Sequence, residues 1–162
     1  MRYLNKIVFI NSAAIRYSEV QLDGNIHLIG TQGVGKSTIL RAILFFYNAD
    51  TQRLGIPVEK KSYQDYYFPY ADSSIIYEVA REDGWFTVLS YKTMNRICYR
   101  FIASPYRPDL FIDEEGAPYP SDRIRSVLDK NGIKYSGAIS TYEEYRNILY
   151  LSLIHISEPT RP

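Results

Sequence analysis

The chain has 162 residues, 46% of them hydrophobic and 23% charged, with a formal net charge of +1. That apolar content excludes a disordered polypeptide, and so balanced a charge gives no global pull toward nucleic acid or an anionic membrane. A single cysteine, Cys98, excludes an internal disulfide and a thiolate metal cluster, which suits a reducing cytoplasm.

The length fits one domain. "KIVFINSAA", residues 6–14, reads as a strand of apolar and β-branched residues. "RYSEVQLDGN" alternates through Tyr17, Val20 and Leu22, then ends in the tight-turn signal Asp23-Gly24-Asn25. "NIHLIG" is a short strand that feeds a glycine-rich turn. From Lys36 the period changes: Ile39, Leu40, Ala42, Ile43, Phe46 and Tyr47 predict a helix with one wide apolar face, ending near Asn48.

A long connection follows, with five aromatics in "SYQDYYFPYADSS". Tyr63 or Tyr66 could stack on adenine or on a single-stranded base. The favoured reading is packing over a sheet edge with hydroxyls outward. Three strand-like runs come next, "SIIYEVARE", "WFTVLSYK" and "RICYRFIAS", the first two joined by Glu82-Asp83-Gly84. "DLFIDEEGAPYP" is a fourth short run. "SDRIRSVLDKNG" reads as a helix with Ser121 as cap and Asn131-Gly132 as stop. "TYEEYRNILY" is another, with Thr141 and Glu144 forming a capping box. No run approaches the ~20 apolar residues of a membrane span.

Gly30-Thr31-Gln32-Gly33-Val34-Gly35-Lys36-Ser37 fits the Walker A pattern in full, between strand and helix as its chemistry demands. Gly30, Gly33 and Gly35 are expected to permit turn conformations closed to residues with a β-carbon, and Gly33 leaves room for phosphate. The successive amides, Gln32 and Val34 among them, would then converge on an anion. The helix N-terminus adds unpaired N–H groups and about half a positive charge. Lys36 is expected at the β- and γ-phosphates, Ser37 on Mg²⁺ and Thr38 at the α-phosphate. ATP with Mg²⁺ is the expected ligand.

The order of elements around "YSEVQLDGNIHLIGTQGVGKSTILRAILF" resembles the head of an SMC/RecF-type ATPase of the ABC class. The antiparallel part of such heads is similar to "SSIIYEVAREDGWFTVLSYK". The resemblance implies an α/β fold: the N-terminal half-head of a P-loop NTPase, with a strand–P-loop–helix core, an antiparallel β-meander and C-terminal helices. It implies work in DNA maintenance, repair or antiplasmid defence, a C-terminal half-head as partner, a homodimer, and DNA as a possible ligand. It also places Arg41 at the phosphate or a DNA-facing surface, with a solvated helix position as the alternative.

Such heads further need a Gln after the antiparallel strands, a signature Ser-Gly pair and a Walker B Asp-Glu. No glutamine follows Gln64. "YSGA", 135–138, echoes the signature, and "LFIDEEG" offers Asp113-Glu114, but in reversed order, and the latter reads better as a solvated turn. The last twelve residues, 151–162, resemble a translated sequencing adapter, so 1–150 is expected to be the lobe and the native sequence to be interrupted near Tyr150. On that expectation the chain binds ATP and hydrolyses it poorly, whereas the intact protein is an ATPase. Two rivals remain: a small-molecule or nucleoside kinase, which would alternate strands and helices, and a binding module regulated by nucleotide.

Overall fold

The computed structural model describes residues 3–22, 27–29, 35–48, 63–94 and 96–155. Six strands make one sheet: β1 (Tyr3–Ser12), β2 (Ile15–Gln21), β3 (His27–Ile29), β4 (Ser74–Arg81), β5 (Gly84–Thr93) and β6 (Arg96–Ile102). Their spatial order is β3-β2-β1-β4-β5-β6, and every neighbouring pair is antiparallel. Four helices accompany them: α1 (Lys36–Asn48), α2 (Tyr63–Tyr67), α3 (Ser121–Lys130) and α4 (Tyr142–His155). The predicted turn at Asp23-Gly24-Asn25 lies outside the described residues.

The two-residue period of the strands sends alternate side chains to opposite faces. Ile7, Phe9 and Tyr77 face one layer, where Ile39, Phe45 and Phe46 of α1 and Tyr145 and Leu149 of α4 complete the core. Val8, Ile76 and Leu89 face the other, closed by Leu110, Phe111, Ile124 and Leu128. With both faces covered, β4 is buried along nearly its whole length, which explains why its apolar residues occupy both faces. Each fully buried large side chain contributes roughly 1.5–3 kcal/mol.

The apolar face of α1 differs from its expected outline. Ile39, Ala42 and Phe46 are buried as predicted, and so is Phe45. Leu40 and Tyr47 instead point outward, 56% and 39% exposed. Each lies about 100° or less around the helix from Ile39, on the side away from Phe45. With Leu44 they leave an uncovered apolar stripe. The C-terminal half of α1 is fastened by two tyrosines: Tyr77 Oη donates to the Ala42 carbonyl at 3.0 Å, and Tyr145 Oη to that of Phe46. The second meets one of the last carbonyls, which a helix cannot pair internally.

Two further expectations shift. Pro120, not Ser121, is the N-cap of α3, and no side chain caps that end. The extended proline already offers its carbonyl to the amides of Arg123 and Ile124, at 2.9 and 3.1 Å, so Ser121 becomes the first helical residue. The predicted stop holds: Gly132 has φ +67°, and Gly132 N and Ile133 N donate back to Asp129 and Leu128. "DLFIDEEGAPYP" forms no strand of the sheet. Pro108–Leu110 is a 3₁₀ turn and only an isolated bridge joins Ile112 to Pro118, as prolines that lack an N–H would dictate. Thr141 caps α4, its Oγ1 accepting from Glu144 N at 3.3 Å. The helix runs through Tyr150 to His155.

A polar brace crosses the sheet. The β1–β4 register shifts between Leu4 and Lys6, and Asn5, at that bulge, donates through Nδ2 to Glu78 Oε1 at 2.8 Å. Tyr106 N donates to Glu78 Oε2 at 2.7 Å. The buried carboxylate thus has a donor at each oxygen, as burial requires.

Candidate functional site

β3 pairs with β2 from His27↔Gln21 to Ile29↔Glu19, so it carries the chain toward the sheet end that holds the β1–β2 turn. α1 begins at Lys36. Gly30, Gln32, Gly33 and Val34, four of the expected phosphate-binding residues, lie outside the described residues. Gly35, Lys36, Ser37 and Thr38 are described.

Gly35 departs from expectation. Its φ is not left-handed, and a β-carbon built on it would meet nothing within 4 Å. Its own backbone therefore does not require glycine. Gly35 instead accepts the first helical bond, from Ile39 N at 3.2 Å. The amides of Lys36, Ser37 and Thr38 accordingly have no carbonyl inside the helix. Lys36 and Ser37 are exposed and Thr38 half-buried, and no acidic residue sits in the first turn to offset the positive helix end.

The next turn of α1 is held from the side. Tyr67 Oη donates to the Thr38 carbonyl at 3.3 Å. Burial pushes the Tyr67 phenol up to about 12, with the hydrogen-bonded Arg41 guanidinium pulling the other way. Arg41 is thus engaged by α2 and is not a freely solvated cation. Tyr67 and Phe68 are fully buried and Tyr66 is half-buried, its ring edge-on to Tyr67 at 4.9 Å. This part of the aromatic stretch packs. The side chain of Tyr63 lies outside the described residues. Neither the α2 helix nor the Tyr67–Thr38 contact was legible in the sequence, because both depend on where the long connection returns.

The same sheet end holds backbone strain. Asn11 and Ala13 have φ of +45° and +53°, values that non-glycine residues seldom adopt. Ser73 secures the first, its Oγ donating to the Asn11 carbonyl while accepting from Tyr70 N at 2.9 Å.

A cleft of 1140 Å³ opens on the opposite face, between Arg16, Tyr17 and the 108–119 segment. Asp72, Asp109, Glu114 and Glu115 line it against the single cation Arg16, a balance that repels a polyphosphate. Asp113 is occupied by its own turn: Oδ1 accepts from Glu115 N and Ala117 N, both at 2.9 Å, and Gly116 has φ +83°. Ser136 is spent on β6, its Oγ accepting from Phe101 N at 2.9 Å. Thus Asp113 of "LFIDEEG" and Ser136 of "YSGA" are both engaged within their own surroundings. No group of metal-ligating side chains occurs among the described residues, and no described helix is long and apolar enough to cross a membrane.

A family model described as "Protein of unknown function (DUF3584)" matches residues 11–152. No curated protein and no solved structure matches the chain.

Proposed function

The chain belongs to the DUF3584 family, and from that premise we propose that it binds ATP and Mg²⁺ through residues 30–38 as the N-terminal lobe of an SMC/RecF-like ATPase. The observation that carries the reading is the N-terminus of α1: three amides with no carbonyl inside the helix, exposed Lys36 and Ser37, and no acid in the first turn. Those groups suit a polyphosphate. Amides of 30–38 would hold its oxygens, the Lys36 ammonium would sit at the β- and γ-phosphates, and the Ser37 hydroxyl would ligate the metal. Mg²⁺, when bound, would offset the charge of the phosphate oxygens.

Turnover needs a carboxylate to orient the attacking water. Asp113 is committed to a turn, so the chain alone holds nucleotide without consuming it. The uncovered stripe of Leu40, Leu44 and Tyr47 on α1 supports a further half-head as partner, since apolar side chains at helical spacing call for a covering surface. DNA as a ligand, a homodimer and a cytoplasmic location follow from the resemblance alone. The kinase alternative is disfavoured by a sheet that is antiparallel at every described pairing.

Calorimetry with ATP·Mg²⁺, GTP·Mg²⁺ and AMP tests the reading. Saturable heat with the triphosphates and none with AMP is expected. Silence from every magnesium triphosphate on folded protein would end it. A phosphate-release assay on the same chain is expected to stay at background.

A further inference from the structure

A cavity of 240 Å³ opens at the sheet end opposite the β1–β2 turn, where β4 ends and the 134–136 segment returns beside β6. Its walls include the rings of Phe86 and Phe101, 6.1 Å apart, and two cations, Arg81 and Lys134. Arg81 lies over the Phe86 ring at 5.4 Å. Its Nε is buried and has no hydrogen-bond acceptor. Asp83 Oδ1 stands 3.4 Å from that nitrogen as its ion-pair partner, with a side chain half exposed. Lys134 is exposed and forms no ion pair among the described residues.

A buried donor without an acceptor costs about 1–3 kcal/mol, and in a native protein it marks the place of an absent water or ion. We infer that this cavity binds a phosphate-type oxyanion, with Arg81 Nε–H and the Lys134 ammonium as donors and Phe86 and Phe101 against the group that carries it. The volume equals about eight waters at the ~30 Å³ each occupies in the liquid. That accommodates a phosphomonoester with a small ring and excludes a nucleoside triphosphate. The site is independent of the ATP reading, since it shares no residue with the α1 terminus.

The test is a ¹⁵N-correlation titration of the Lys36→Ala chain, which silences the other phosphate site, with phenyl phosphate and with inorganic phosphate. Saturable shifts of the Ala103 and Ser136 amides are expected. Arg81→Gln should weaken binding about tenfold, the loss of one charge-assisted hydrogen bond. Lys134→Ala should weaken it about two- to threefold, as for an exposed charge, and Asp83→Asn should tighten it by removing the competing carboxylate. Arg81→Lys keeps the charge without the fork and should fall between wild type and Arg81→Gln, which also guards against a folding defect in the latter. Tighter binding of phenyl phosphate assigns the rings to the carrier group, and equal binding assigns the site to the free oxyanion. Shifts that do not saturate, or that persist unchanged in Arg81→Gln, overturn the inference.

Discussion

Two glycine-bearing turns of this chain look alike in sequence and behave oppositely in structure. At Gly35-Lys36-Ser37-Thr38 the first helical bond starts at Ile39, so three consecutive amides have no carbonyl inside the helix. At Asp113-Glu114-Glu115-Gly116 the carboxylate folds back onto the amides of Glu115 and Ala117. One turn has donors to offer a ligand, whereas the other has spent them on itself. A motif carries chemistry only where the backbone leaves groups unpaired.

The sharpest way to break this contrast is substitution of its two signature side chains. Lys36→Ala should reduce ATP·Mg²⁺ affinity at least about a hundredfold, the loss of a charge-to-phosphate contact of roughly 3 kcal/mol. Asp113→Ala should leave that affinity unchanged in the same calorimeter. Equal losses from both would mean that Asp113 reaches the nucleotide after all. Next in size is stability: Asp113→Ala removes two hydrogen bonds and should lower unfolding free energy by about 1–2 kcal/mol in urea.

A smaller effect separates the two glycines. Gly116→Ala forces a β-carbon into left-handed backbone and should cost about 1 kcal/mol. Gly35→Ala meets open space and an ordinary φ, so thermal unfolding should barely move, by less than about 0.5 kcal/mol. Any fall in nucleotide affinity for Gly35→Ala then reports crowding of the phosphate and not misfolding.

A modest effect at neutral pH belongs to Tyr67→Phe, which deletes a long hydrogen bond to Thr38 and the one shared with Arg41, and should cost about 1 kcal/mol. Its signature appears in alkali. The folded phenol titrates at about 12 and the unfolded one near 10. Above pH 10 the unfolded chain therefore releases a proton that the folded chain keeps, and stability falls as pH rises toward 12. Tyr17, also raised to about 12 by burial, contributes the same slope. Tyr67→Phe should shallow that limb by one proton.

Local signals were legible where one stretch decides the outcome. The stop of α1 at Asn48, the three strands from Ser74 and the Gly132 terminus of α3 follow from period and turn chemistry alone. What failed depended on partners distant in sequence. Nothing near Phe45 announces that α4 and β6 will cover it, and nothing near Leu40 announces that they will not. The Asn5–Glu78 brace joins residues 73 apart, a pairing that no local pattern encodes. Ser121 was misplaced by a single position because the proline before it took over the cap. At the candidate site the lysine and serine were plain, whereas the Tyr67–Thr38 support was hidden behind a long connection.

The hold of Tyr145 on the Phe46 carbonyl bears on how such a chain is made. The contact closes a loop of 99 residues, and the same ring stacks on Tyr99 at 4.2 Å. While a ribosome is still translating the strands, one layer of the sheet has no lid, and its phenylalanines and tyrosines are open to whatever apolar surface is nearby. Only when residues 142–149 emerge can the layer seal. Nascent chains arrested short of that point should depend on a chaperone far more than chains released beyond it.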